Sequence, residues 1–164
     1  MGDVHYDRTM TSHSNTAVHI IFYDGTCALC YWAIRMILRY ESSSSMLLFS
    51  SLQSPEATHI VPSEYYTRDG SLNTVIYMVL HPHDRSPQIV THSSAVVAIF
   101  RHMRRPYCWL GIIRWIPKPI RDGGYRLVSC IRYRLFGRTL LCPIPGSQWK
   151  ARMVSMDRIR QWVS

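Results

Sequence analysis

Nothing in this 164-residue chain has the makings of a membrane span, because it contains no run of about 18 apolar residues, the length a helix needs to cross a bilayer. The first 16 residues lack an apolar stretch altogether and carry Asp3 and Asp7. They fit neither a secretory signal nor a basic transit peptide, and are expected to form a mobile tail. Met1-Gly2 opens like a myristoylation signal, but Tyr6 stands where Ser or Thr is required, which discounts it. The five cysteines lack the repeated spacing of a secreted disulfide scaffold or of a four-cysteine zinc site. A reducing compartment, the cytoplasm, suits them better. No internal repeat is present. Acidic residues are scarce in one part only: residues 101–164 hold two Asp/Glu against fourteen Lys/Arg, net +12, whereas residues 1–100 hold eight against five, net −3.

What is present is enough apolar material for a core. At 47% hydrophobic content over this length, one domain is the natural expectation. Its most informative stretch is Phe22-Tyr23-Asp24-Gly25-Thr26-Cys27-Ala28-Leu29-Cys30. Val18 to Tyr23 is almost unbroken apolar sequence, as in a strand covered on both faces, and Gly25 and Thr26 supply a turn and a helix cap. The Cys-x-x-Cys then falls at a helix N-terminus, where unpaired N–H groups and the helix dipole favour thiolate over thiol. Cys27 is the expected nucleophile, as the outer thiol, and Cys30, one turn inward, the expected resolver. Asp24 either accepts a proton from a thiol or holds the turn through backbone N–H groups. Tyr23 and Trp32 are expected in the core or along a substrate groove, where contact with a bound substrate is the functional alternative.

Other readings of these residues are weaker. Cys27 and Cys30 have the spacing of half a zinc site, but the other half would have to come from Cys108, Cys130, Cys142, His81 or His83, none in a second knuckle. Asp24-Gly25-Thr26 after a strand is similar to a phosphotransferase loop, yet the attacking aspartate of that chemistry would lie at Phe22. His81 and His83 read as solvated turn residues. Cys108 and Cys130 read as core, and Cys142 as buried, with a third redox thiol as its alternative.

Along the chain, Leu29, Trp32, Ala33, Met36, Ile37 and Tyr40 recur at helical spacing to about Glu41, beside a polar stripe of Arg35 and Arg39. Ser42–Ser45 form a linker and Met46–Leu52 a second strand. Pro55 opens a short helix ending before Pro62. Asn73–Leu80 forms a third strand, followed by a turn and a fourth strand near Gln88–Thr91. Ser93 is expected to cap a helix running to about Arg104. The order β-α-β followed by β-β-α is the connectivity of the thioredoxin-like fold, a mixed sheet flanked by helices.

Several separated motifs carry a more specific resemblance. Tyr23-Asp24-Gly25-x-Cys27-x-x-Cys30, Leu52-Gln53-Ser54, Ser94-Ala95, Arg121-Asp122-x-x-Tyr125 and Arg132-Tyr133-Arg134-x-Phe136-Gly137 occur in an order that resembles the DCC family of thiol-disulfide oxidoreductases. The resemblance covers roughly residues 18–142 and implies a thioredoxin-like fold and thiol redox chemistry, with Asp24, Cys27 and Cys30 as the signature triplet. In contrast to the better-known thioredoxins, the approach to the third strand, Gly70-Ser71-Leu72-Asn73-Thr74, contains no proline.

Tyr107 to Arg138 interleaves tryptophan and aliphatic residues with Arg114, Lys118, Arg121, Arg126, Arg132 and Arg134. It is expected to add a helical layer on the core, divided at Gly123-Gly124, with arginines snorkelling from packed apolar side chains. Its alternative is a basic amphipathic surface for anionic membrane or an acidic partner. Trp149, Met153 and Met156 suggest a further short amphipathic helix. The sequence thus predicts an N-terminal tail over 1–16, a thioredoxin-like domain over 17–142 with a basic helical extension, and a C-terminal tail over 143–164. The function expected is exchange of a Cys27/Cys30 dithiol with a protein or small-molecule disulfide, without organic cofactor, metal or nucleic acid. A membrane or protein adaptor and a structural zinc protein are the alternatives.

Overall fold

A computed structural model describes residues 17–42, 46–66, 74–81, 87–137 and 150–154. Strand β1 (Val18–Tyr23) leads through helix α1 (Ala28–Tyr40) to β2 (Leu47–Ser51) and helix α2 (Pro55–Ile60). Strands β3 (Ile76–Leu80) and β4 (Gln88–Thr91), helix α3 (His92–Phe100), a 3-10 helix (Tyr107–Trp115) and helix α4 (Lys118–Phe136) follow. The sheet order is β2-β1-β3-β4, with β1 parallel to β2 and antiparallel to β3, and β3 antiparallel to β4. This mixed sheet flanked by helices is the thioredoxin-like arrangement.

Alternation along the central strands divides the core in two. Ile20 and Phe22 of β1, Leu48 of β2 and Ile76 and Met78 of β3 face Ala57 of α2 and the nearby Val61. Ile21, Tyr23, Leu47, Phe49 and Tyr77 face the opposite way, against Ile34 and Ile37 of α1 and Ala95 and Ile99 of α3. The stripe of α1 turned to the sheet is thus Cys30, Ile34, Ile37 and Leu38, which keeps Ile37 of the expected stripe but leaves Leu29, Trp32 and Met36 out of the core. Apolar residues surround most of this helix, so spacing alone leaves its rotational phase open.

Four further expectations change. Thr74 and Val75 stand outside β3 because they turn to Tyr125 of α4: Val75 N–H donates to its hydroxyl at 2.8 Å. Thr91, not Ser93, occupies the N-cap of α3, and Ser93 donates instead to Asp122. The same helix stops at Phe100 because the chain then runs beside the end of α1, with Ser42 N–H to His102 O at 2.8 Å and Arg104 N–H to Tyr40 O at 2.7 Å. Finally, α4 runs unbroken through Gly123 and Gly124. Each glycine weakens a helix by about 1 kcal/mol relative to alanine, but Asp122 and Tyr125 pin the helix on either side of the pair.

Residues 150–154 lie along the outer edge of β2. Val154 N–H donates to Phe49 O at 2.9 Å, and Arg152 pairs with Glu41 at 3.1 Å. Met153 bridges to Phe49 rather than continuing a helix. An edge strand is thereby covered. The N-terminal 1–16, the proline-free approach at 70–73, His83, Cys142, Trp149 and Met156 lie outside the described residues.

Candidate active site

Cys27 is the N-cap residue of α1, and Cys30 lies in its first turn. Both are free thiols. The strand-to-helix turn depends on Gly25, where an added Cβ would lie 2.6 Å from Ser51 Oγ. Gly25 N–H donates to Gln53 Oε1 at 2.9 Å, so the loop after β2 closes over the turn after β1.

Asp24 is the hub. Its Oδ1 accepts from Thr26 N–H at 2.9 Å, Thr26 Oγ1 at 2.8 Å and Gln53 Nε2 at 3.0 Å. Its Oδ2 accepts from Arg132 Nη2 at 3.0 Å and from the Tyr133 hydroxyl. Burial alone would raise this carboxyl. The bonds from Tyr133 and Thr26 and the Arg132 charge outweigh it, and the net shift is downward. Burial, then the bond to Asp24, raises the Tyr133 phenol, which keeps it the donor. Asp24 is therefore an ionised, heavily bonded carboxylate that ties the turn to α4.

Arg132 itself is buried and also reaches Cys30, Nη1 to Sγ 3.6 Å. The two thiols are driven apart. Donation from the Cys30 thiol is the largest influence on Cys27; burial opposes it, and the Cys30 N–H, Arg132 and the Leu29 N–H reinforce it, lowering Cys27 to about 6. No side-chain hydrogen bond of ordinary geometry closes the cap, so these first-turn N–H groups act as dipoles rather than as a formal cap. Cys30 moves the other way, raised by that same donation, by burial and by the Cys27 charge. Accessibility does not follow the expected order: Cys27 is 1% exposed, whereas Cys30 is half-buried.

The remaining sequence candidates separate. Tyr23 is buried in the core, and Trp32 stands 58% exposed on α1. Cys108 is half-buried and Cys130 exposed on the outer side of α4, against the expected core positions. Among the described residues no three His, Cys, Asp or Glu side chains come together as a metal site. Sequence reasoning assigned no site role to Gln53, Arg132 and Tyr133. Their signal was present in the Leu52-Gln53-Ser54 and Arg132-Tyr133-Arg134 motifs, but which helix face they occupy depends on tertiary packing.

A family model described as DCC1-like thiol-disulfide oxidoreductase matches residues 21–138. The chain belongs to this family. Among curated proteins, an uncharacterized protein of Bacillus subtilis, YuxK, is 27% identical over 135 residues, spanning 82% of this chain and 93% of the relative. A chloroplastic DCC family protein of Arabidopsis thaliana is 28% identical over 127 residues, spanning 76% of this chain and 69% of the relative. No solved structure matches significantly. The DCC1-like region holds Asp24, Cys27, Cys30, Gln53, Arg132 and Tyr133 together, so the whole cluster falls within the shared part of the chain. No described helix is long and apolar enough to cross a membrane.

Proposed function

We propose that this DCC1-like protein exchanges its Cys27/Cys30 dithiol with a substrate disulfide in a reducing compartment, the cytoplasm. The observation that carries the reading is the placement of two free thiols at the start of α1 beside one buried arginine, an arrangement that lowers Cys27 and raises Cys30. A thiolate with a protonated neighbour is the resting form of an exchanging pair. The Cys27 thiolate attacks one sulfur of the substrate disulfide, forms a mixed disulfide and expels the other substrate sulfur as a thiolate. Cys30 then loses its proton and attacks Cys27 Sγ, which releases the second substrate thiol and closes the protein disulfide. Two electrons pass to the substrate, whose two thiolates take up one proton from Cys30 and one from solvent. Because Cys27 is covered at rest, attack requires a local opening around the motif, where α4 is packed through Arg132. Asp24 organises the turn rather than carrying the proton, since its oxygens already accept five hydrogen bonds.

Trapping tests the roles. Cys30→Ser should accumulate a mixed disulfide through Cys27 when offered a protein disulfide, and Cys27→Ser should form none. Multiple turnovers by Cys30→Ser would reverse the assignment or remove the two-thiol mechanism.

A further inference from the structure

Helix α4 is amphipathic in the opposite sense from a helix that only covers a sheet. Five of its polar side chains face the protein. Tyr125 takes the Val75 N–H, Asp122 the Ser93 hydroxyl, Arg121 reaches Ser94 Oγ at 3.3 Å, and Arg132 and Tyr133 hold Asp24. Ile120, Leu127 and Leu135, at helical spacing, are left outside. The preceding 3-10 helix repeats the arrangement: at about three residues per turn, Trp109, Ile112 and Trp115 superpose on one face. All six side chains are between 63% and 80% exposed. Isolated exposed apolar residues require no explanation, but six at helical spacing on consecutive elements mark a surface that something covers. This outcome also reverses the expected packing of the layer. Polar anchors, not apolar burial, hold α4 in place, and the apolar stripe remains outside.

The charge on these elements indicates what covers them. From residue 104 to residue 137 the sole carboxylate is Asp122, and it is turned inward to Ser93. Arg114, Arg126 and Arg134 are exposed on the same two elements. Protein interfaces also enrich arginine and tryptophan, so the deciding feature is that every exposed charge on these two elements is positive. Here arginines alternate with tryptophan, leucine and isoleucine, the composition of a helix lying at the boundary between headgroups and acyl chains. We infer that the outer face of Tyr107–Trp115 and α4 docks on an anionic lipid surface. Its apolar side chains enter the headgroup boundary and its arginines meet anionic headgroups. Contact is peripheral, since no described helix can span the bilayer. The dithiol lies on the inner side of α4, away from the lipid, so docking and thiol chemistry are separable.

The test is co-sedimentation of the full chain with vesicles of phosphatidylcholine alone and of phosphatidylcholine mixed equally with phosphatidylglycerol. Binding is expected to the mixed vesicles only, with a blue shift of tryptophan emission, and to disappear near 1 M salt, where the Debye length is about 3 Å. Replacing Arg114, Arg126 and Arg134 together by Ser should weaken binding on the order of a hundredfold. The Trp109→Ser/Trp115→Ser/Leu127→Ser variant should lose binding while its circular dichroism and its disulfide exchange stay unchanged. Absence of binding to the anionic vesicles at low salt would overturn the inference. So would equal binding to phosphatidylcholine alone, or a native dimer that the apolar variant converts to monomer without either form binding vesicles. Capture of an acidic protein in place of vesicles would likewise assign the face to a protein partner.

Discussion

Arg132 and Asp24 stand 108 positions apart in the chain and 3.0 Å apart in space, both almost fully buried. This ion pair joins α4 to the turn between β1 and α1, and the Arg132 guanidinium extends the link to Cys30. Removing one partner of such a pair leaves a buried charge uncompensated, which costs about 3–5 kcal/mol. Arg132→Leu should therefore lower the unfolding free energy by about that much in a denaturant titration. Asp24→Asn in the same chain should recover part of the loss, because it removes the stranded carboxylate.

Arg132 also favours negative charge on both thiols. Stabilised thiolate means stabilised dithiol, hence a more oxidising couple. Arg132→Gln should make the couple more reducing, by about 30 mV for each tenfold loss of thiolate stabilisation. Equilibration with glutathione measures it; a shift toward more oxidising potential would contradict the assigned contact.

Cys27 is lowered from 9.0 to about 6. Its thiolate absorbance in the reduced protein should appear with a midpoint near pH 6 and vanish in Cys27→Ser. Because the folded value lies below the unfolded one, the ionised sulfur stabilises the reduced fold fully above pH 9. That contribution declines as pH falls and is gone below about pH 6. Unfolding of reduced wild type and of Cys27→Ser, compared across this window, should show the difference closing toward acid.

Gly25 fills a position where a Cβ would meet Ser51 Oγ at 2.6 Å. Gly25→Ala should destabilise by about 1–3 kcal/mol, the usual cost of overpacking. Adding Ser51→Ala, which removes the colliding oxygen, should return part of that stability.

Local pattern carried much of the fold. The apolar run of β1, the Pro55 start of α2 and the turn signals between β3 and β4 reside in short stretches, so strands and helices emerge near their expected places. The placement of the candidate site was legible to the same depth: Asp24, Cys27 and Cys30 are neighbours in sequence, and the strand-turn-helix context locates them at the start of α1. Gln53, Arg132 and Tyr133 were visible only as motif letters, because their role arises from loop closure and from the rotation of α4. The same rotation misled the reading of the basic half. Helical spacing reveals an apolar stripe at Ile120, Leu127 and Leu135, and a stripe normally faces a core. Here inward hydrogen bonds at Asp122, Tyr125 and Arg132 decide which face packs, and no periodicity reports those bonds.

The most direct measurement is equilibration of the protein across glutathione buffers from reducing to oxidising, followed by acid quench, thiol capping and peptide mass spectrometry. The account predicts one reversible two-electron transition, with loss of two hydrogens confined to the peptide that contains Cys27 and Cys30. A protein whose Cys27 and Cys30 stay as two thiols, or only accept separate glutathione adducts, through the most oxidising buffer would contradict it.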